Sequence, residues 1–490
     1  MRITRLLSAF ALLALLPTSL RAQSDAASRL AAALLGDTPM VRDLQTLTDS
    51  IGGRPTGSEA NRRAFDWAHA RFREAGVDAR KEPFQMPGLW LERSARATVK
   101  GGGVSFAARV AALPFSTATP ASGLTAALVD AARGAEADFA ALGGRAKGAF
   151  VLVETEELAD LDGLFREYVE AGHIERRAIA AGAAGLVYMS SRPGNILARH
   201  NAALGWANRH PMMMMERDAA ARALRLLRSG VPLTLSAVLD IRSGPAYTTH
   251  NVIGEIRGAT RPNEIVVIGA HLDSWDLGTG ALDNGANCAM VIDIARQIVR
   301  LGLRPARTIR FALWNGEEQN LNGSYGYTLS HAAEMGRHVM ASSYDIGTGR
   351  ITGFFTGGRA DMVPVLERAL APVAALGPFT HVNAPIVGTD NYDFMMQGVP
   401  NLVANQESAN YGPNYHARSD EFGRADLRQL RLNAAIAAAT TWGFATQELS
   451  LPRQTAAQVD SMVRHTDLPD QMKSFNVYDA WVAGRRGLRP

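Results

Sequence analysis

A single cysteine, Cys288, occurs in 490 residues, so no disulfide can close within the chain. It starts an apolar helical stretch and reads as a small buried hydrophobe; a nucleophile would need a histidine partner that the sequence does not place. After the N-terminal segment, no apolar run reaches the roughly eighteen residues a membrane helix needs. The formal net charge is +4, yet the basic residues are nearly all arginine and never form a run, which argues against nucleic-acid binding. There is no GxSxG elbow, no P-loop and no HExxH, so serine-hydrolase and nucleotide chemistry have no anchor. Internal repeats and low-complexity linkers are also missing.

What is present starts with MRITR, LLSAFALLALL and PTSLRAQ. A basic start, a short apolar core and small residues predict a signal peptide over 1–22, cleaved after Ala22, and hence a secreted or periplasmic protein. Removing Arg2, Arg5 and Arg21 lowers the positive charge. The hydrophobic content of 47% is that of an ordinary globular chain, with length for two or three domains.

Residues 40–80 predict a helix, a loop and a second helix. The loop is GGRPTGSEAN, Ser58 is the candidate cap, and Phe65, Ala68, Phe72 and Ala75 share one helical face. From 118 to 242, β-rich runs such as GAFVLVET and AGLVYMS alternate with alanine-rich helices and carry no catalytic-looking acids. That texture predicts a separate inserted module. Met212–Met215 reads as an apolar strand, because copper-binding methionines are usually spaced among polar residues. From 250 on, strands and helices alternate regularly, which predicts an α/β fold: a mostly parallel sheet sandwiched by helices. Flanking pieces over 23–117 and 243–450 would build that catalytic domain, and 451–490 is a C-terminal extension without an assigned role.

In such sheets ligands bind beyond the carboxyl ends of the strands. The apolar run Ile265-Val266-Val267-Ile268 leads into GAHLDSWDLGTGALDNGAN, with His271, Asp273, Asp276 and Asp283. The next strand ends in WNGEEQ with Glu317 and Glu318, the third in SSYDIG with Asp345, and a later loop, NYGPNYHARSDE, offers His416. Acids gathered on one sheet edge repel one another and need cations, and this mixture of imidazole and carboxylate suits Zn²⁺. Consecutive residues on an extended chain point opposite ways, so of Glu317 and Glu318 one can bind metal while the other faces a water as general base. Asp276 reads as an exposed loop residue, and His331 and His338 as positions on a solvated helix. His69, His250 and His381 receive no role.

GAHLDSWDLGTGALDNGAN, NGEEQNLNGS, YDIGTG and YHARSDE resemble the four signatures of the M28 family of co-catalytic zinc peptidases. HLDSWD and GTDNYDFMMQGVP are most similar to its carboxypeptidase Q branch. The resemblance implies a zinc-exopeptidase (phosphorylase/hydrolase-like) fold, with the module at 118–242 a protease-associated (PA) domain. It implies two Zn²⁺ ions per chain: His271 and Asp345 on one, Glu318 and His416 on the other, Asp283 bridging. Glu317 would be the general base, and Asp273 would orient the His271 ring. Tyr415 would donate a hydrogen bond to the developing oxyanion, which requires the loop to bend because neighbours on an extended segment face apart. The implied activity is a metallo-exopeptidase cleaving short peptides, as aminopeptidase, carboxypeptidase or dipeptidase. A homodimer is left open. The alternatives are a non-catalytic binding protein on the same fold and a single-zinc acyl-transfer cyclase.

Overall fold

The computed structural model describes residues 25–490; the expected signal peptide lies outside the described residues. The first strand, β1 (Asp78–Met86), belongs to one sheet. The chain then leaves that sheet for β2 (Leu89–Gly101), β3 (Val104–Ala108), β4 (Val110–Ala112), β5 (Leu124–Asp130), β6 (Phe150–Val153), β7 (Gly185–Met189), β8 (Met212–Met215) and β9 (Leu233–Gly244). It returns through β10 (Tyr247–Ile256), β11 (Arg261–His271), β12 (Arg307–Trp314), β13 (His338–Ser343), β14 (Ile351–Phe355) and β15 (Asn401–Gln406).

The first sheet runs β1-β10-β12-β11-β13-β15-β14. Its centre, from β12 to β15, is parallel, as expected. Both edges are antiparallel, so the sheet is mixed. Alternation along β11 explains its apolar run Ile265-Val266-Val267-Ile268. Val266 and Ile268 enter one cluster with helices Ala286–Arg300 and Leu427–Thr446, while Ile265 and Val267 enter the opposite cluster with Trp314, Tyr327 and Phe394. A strand covered on both faces has no polar side, so its polar residues collect at its end.

The second sheet, β3-β2-β9-β5-β6-β7-β8-β4, has its own apolar clusters on its two faces. Met213 and Met215 enter one and Met212 and Met214 the other, so the methionine run serves packing. Its strands lie on both sides of residue 118, from Leu89 to Gly244. Beyond 450, the helices Ala456–Arg464, Leu468–Ser474 and Tyr478–Val482 pack against Leu321, Tyr392 and Met396 in a further cluster. Among the described residues, no helix is long and apolar enough to cross a membrane.

Candidate active site and metal centre

Three parallel strands end at the same edge. β11 delivers His271 and, two residues on, Asp273. β12 passes through the Asn315-Gly316 turn, where Gly316 takes φ 74° beside the Met86 sulfur, and presents Glu317 and Glu318. The next helix starts only at Asn322, so the two glutamates sit in the turn, free of helical geometry. β13 leads to Asp345. Asp283 lies in the irregular segment before helix Ala286–Arg300, with non-helical φ −122° and ψ 84°. His416 comes from the far loop in a left-handed conformation, φ 53°.

These residues form two groups, His271 with Asp283 and Asp345, and Asp283 with Glu318 and His416. Within each group the ligand atoms lie within 4.8 Å of one another, and Asp283 is common to both. His271 Nε2 is 2.9 Å from Asp345 Oδ1 and 3.1 Å from Asp283 Oδ1. His416 Nε2 is 2.8 Å from Glu318 Oε2 and 3.3 Å from Asp283 Oδ2. All five residues are buried. Glu317 belongs to neither group; its Oε2 lies 4.0 Å from His271 Nε2.

The electrostatics are those of a site short of positive charge. Burial first, then Asp345, Asp390 and Glu318, push the Glu317 carboxyl well above its ordinary range, against His271. Burial and Asp283 do the same to Glu318. Burial would lower the His271 imidazole, but Asp345, Glu317 and Asp283 hold it well above its usual value. Burial, helped by Arg192 and His271, brings His416 down to about 4 despite Asp283. Asp283 Oδ2 and Glu318 Oε1 are buried without a hydrogen-bond donor. Orphaned carboxylate oxygens facing imidazole nitrogens suit a borderline divalent cation.

The surroundings revise the part expected of Asp273. His271 Nδ1 donates to the main-chain oxygen of Asp273 at 3.0 Å, whereas the carboxylate is 3.7 Å away. That carboxylate instead accepts from the backbone N–H of Glu317 and of Glu318, each at 3.3 Å, and from Thr56 Oγ1 at 2.8 Å. Tyr415 stacks on the His416 ring at 3.6 Å, the bend at His416 bringing both to the site. Asp276 is half-buried and pairs with Arg199 rather than joining a group. Cys288 is buried; its Sγ donates to the His271 carbonyl at 2.9 Å, and burial pushes the thiol up to about 12.

His331 and His338 are not on a solvated helix. His338 opens β13, is buried, and bonds Tyr327 Oη at 2.9 Å. His331 lies between Glu82 and Glu334.

Several site residues had no signal in the sequence. Arg54, buried in the 52–57 loop, donates to the Thr279 and Gly280 carbonyls at 2.8 and 3.0 Å, and also to that of Leu272. The segment before β8 pairs with the His416 loop: Arg199 N–H donates to His416 O, and Arg418 N–H to Leu197 O, each at 2.9 Å. Tyr168, His200 and Asn201 from the second sheet's layer and Ser474, Phe475 and Asn476 from the C-terminal extension line one cavity with Glu317, Glu318, Tyr415 and His416. Asp390, within the quoted GTDNYDF, is buried and adds to the negative charge around Glu317.

Residues 251–441 match the family model Peptidase family M28. The chain carries a peptidase family M28 domain. The M28 match contains all five clustered residues, and the second sheet lies outside it. Over 84% of its length the chain is 27% identical to carboxypeptidase Q of Xenopus laevis and 25% identical to that of Homo sapiens, covering 86% of each. The crystal structure of a peptidase M28 precursor from Shewanella amazonensis SB2B superposes with a TM-score of 0.79 at 27% identity, over 88% of this chain and 99% of that one. BSAP, a zinc aminopeptidase from Bacillus subtilis, shares the fold with a TM-score of 0.66 at 20% identity, over 84% of this chain and 96% of its own.

Proposed function

We propose that the chain is an exported di-zinc exopeptidase that hydrolyses short peptides. The observation that carries this reading is the pair of buried ligand groups joined through Asp283, with Glu317 beside them but in neither. The donor set fits the metal: two imidazoles, three carboxylates and two buried oxygens lacking a proton donor. His271 and Asp345 would hold one ion, Glu318 and His416 the other, and Asp283 both. Zinc bound there would acidify a water and polarise the scissile carbonyl.

The chain's own residues supply the remainder. The Asp273 carbonyl keeps the His271 proton on Nδ1, so Nε2 is the free ligand atom. The Asp273 carboxylate clamps both adjoining amides, which fixes Glu317 and Glu318 relative to one another. Glu317, ionised once cations offset its carboxylate neighbours, takes a proton from the attacking water and returns it to the leaving amine. Tyr415 donates to the oxygen that gains charge. The second sheet's layer, which contains the PA-like module expected at 118–242, and the C-terminal extension wall the cavity and restrict it to short substrates.

The intact ligand set and the retained Glu317 support an enzyme over a binding protein. Free and terminally blocked dipeptides and tripeptides, assayed with and without added zinc, test the reading. Zinc-dependent cleavage of short peptides is expected, and a protein that cleaves none of them in any metal state refutes it.

A further inference from the structure

Tyr168 lies on helix Leu161–Ala180 of the second layer, 247 positions from Tyr415 in the chain, yet the two phenol oxygens are 2.9 Å apart. The Tyr168 ring is clamped on two sides, by His200 at 4.4 Å and by Phe475 of the C-terminal extension, stacked at 5.9 Å and 17°. Such a ring has little freedom to carry its hydroxyl elsewhere. Tyr415 is held on its other side by the His416 ring, and its main-chain oxygen accepts from buried Arg192 at 3.0 Å.

We infer that Tyr168 is a positioning residue for the reaction, its hydroxyl donating to Tyr415 Oη and so aiming the Tyr415 proton at the oxyanion. The inference rests on the exopeptidase reading above. Each phenol carries one proton. If Tyr415 spends its own on the substrate, the short contact to Tyr168 requires Tyr168 to be the donor within the pair. A donor that itself accepts a hydrogen bond is polarised and strengthened.

The arrangement also joins three parts of the chain. Tyr415 belongs to the M28 domain, Tyr168 to the second layer and Phe475 to the extension. The same layer bridges the His416 loop at Ala198 and Ala417. The second layer therefore contributes directly to the surroundings of the oxyanion donor.

The test is a double-mutant cycle on the zinc-loaded full chain with a cleaved dipeptide. Tyr168→Phe deletes one oxygen, so metal content and Tm should stay at the wild-type level. Its kcat should fall about tenfold with KM little changed, the scale of one neutral hydrogen bond. Tyr415→Phe should lose about 10²–10³-fold. The double variant should be no slower than Tyr415→Phe alone, because Tyr168 acts only through Tyr415. Independent, multiplying losses, or a Tyr168→Phe change confined to KM, overturn the inference while leaving the peptidase intact. A wild type without metal-dependent hydrolysis ends both readings together.

Discussion

The main-chain carbonyl of Asp273, rather than its carboxylate, receives the Nδ1 proton of His271, at 3.0 Å against 3.7 Å. Histidine orientation is thereby made independent of the acid side chain, which is released to hold the Glu317 and Glu318 amides. Asp273→Asn should then keep the His271 geometry but place an NH₂ group against one of two backbone donors. Turnover should fall about 10–100-fold, the scale of losing a supporting group around a metal site. Metal analysis should find the His271 ion retained. Loss of that ion, as in His271→Ala, would return the orienting role to the carboxylate.

How much of this was legible in advance depends on chain direction. His271, Glu318 and Asp345 lie at or just beyond strand ends and Asp283 just before a helix start, and hydrophobic runs mark those places in the sequence. Strand β1, DARKEPFQM, gave no such mark: it is an edge strand, largely exposed, and carries Pro83. Arg54, Thr56, Tyr168 and His200 reach the site through tertiary packing, and no local periodicity encodes a partner so far along the chain. His338 was misread because the expected helix does not extend that far; a short 3₁₀ turn over Ala332–Arg337 hands the chain to β13.

That buried histidine has a consequence for acid stability. Burial, with Arg310 adding, lowers His338 to about 3 from the ordinary imidazole value of about 6.5. Below pH 6.5 the unfolded chain takes up a proton that the folded one refuses, so stability falls as pH drops from 6.5 towards 3 and is unaffected above that window. At pH 5 the share from this group is about 2 kcal/mol. Urea unfolding of wild type and His338→Gln at pH 7.5 and pH 5 should show the wild type losing about that much more on acidification. Equal losses would mean that the imidazole is protonated in the fold.

The extension is pinned by a buried ion pair. Arg486 donates to Asp393 Oδ1 at 2.7 Å and Oδ2 at 2.8 Å, and to the Asn320 and Leu321 carbonyls at 3.1 and 3.0 Å, just beyond the two glutamates. Arg486→Ala leaves Asp393 buried and unpaired, at a cost of about 3–5 kcal/mol. The urea midpoint should drop accordingly. A change below about 1 kcal/mol would show that the extension does not brace the site.

Metal occupancy should register in stability as well as activity, since the two ligand groups exist only in the folded chain. At free metal about a thousandfold above Kd, one ion contributes about 4 kcal/mol. Chelation should lower Tm and stop hydrolysis, and added zinc should restore both. An unchanged Tm and undiminished hydrolysis after complete metal removal would contradict the assignment of both groups.

The proposed mechanism gives the two neighbouring glutamates different work, and separating them tests the central claim. Glu318→Ala deletes a ligand from the group with Asp283 and His416, so close to one of two metal equivalents should be lost. Glu317→Gln keeps the shape but cannot take the water's proton. Elemental analysis beside kcat for the two variants is the deciding measurement. The account predicts that Glu317→Gln retains two zinc ions while kcat falls about 10²–10⁴-fold. Metal loss in Glu317→Gln with retention in Glu318→Ala, or full turnover in Glu317→Gln, would contradict it.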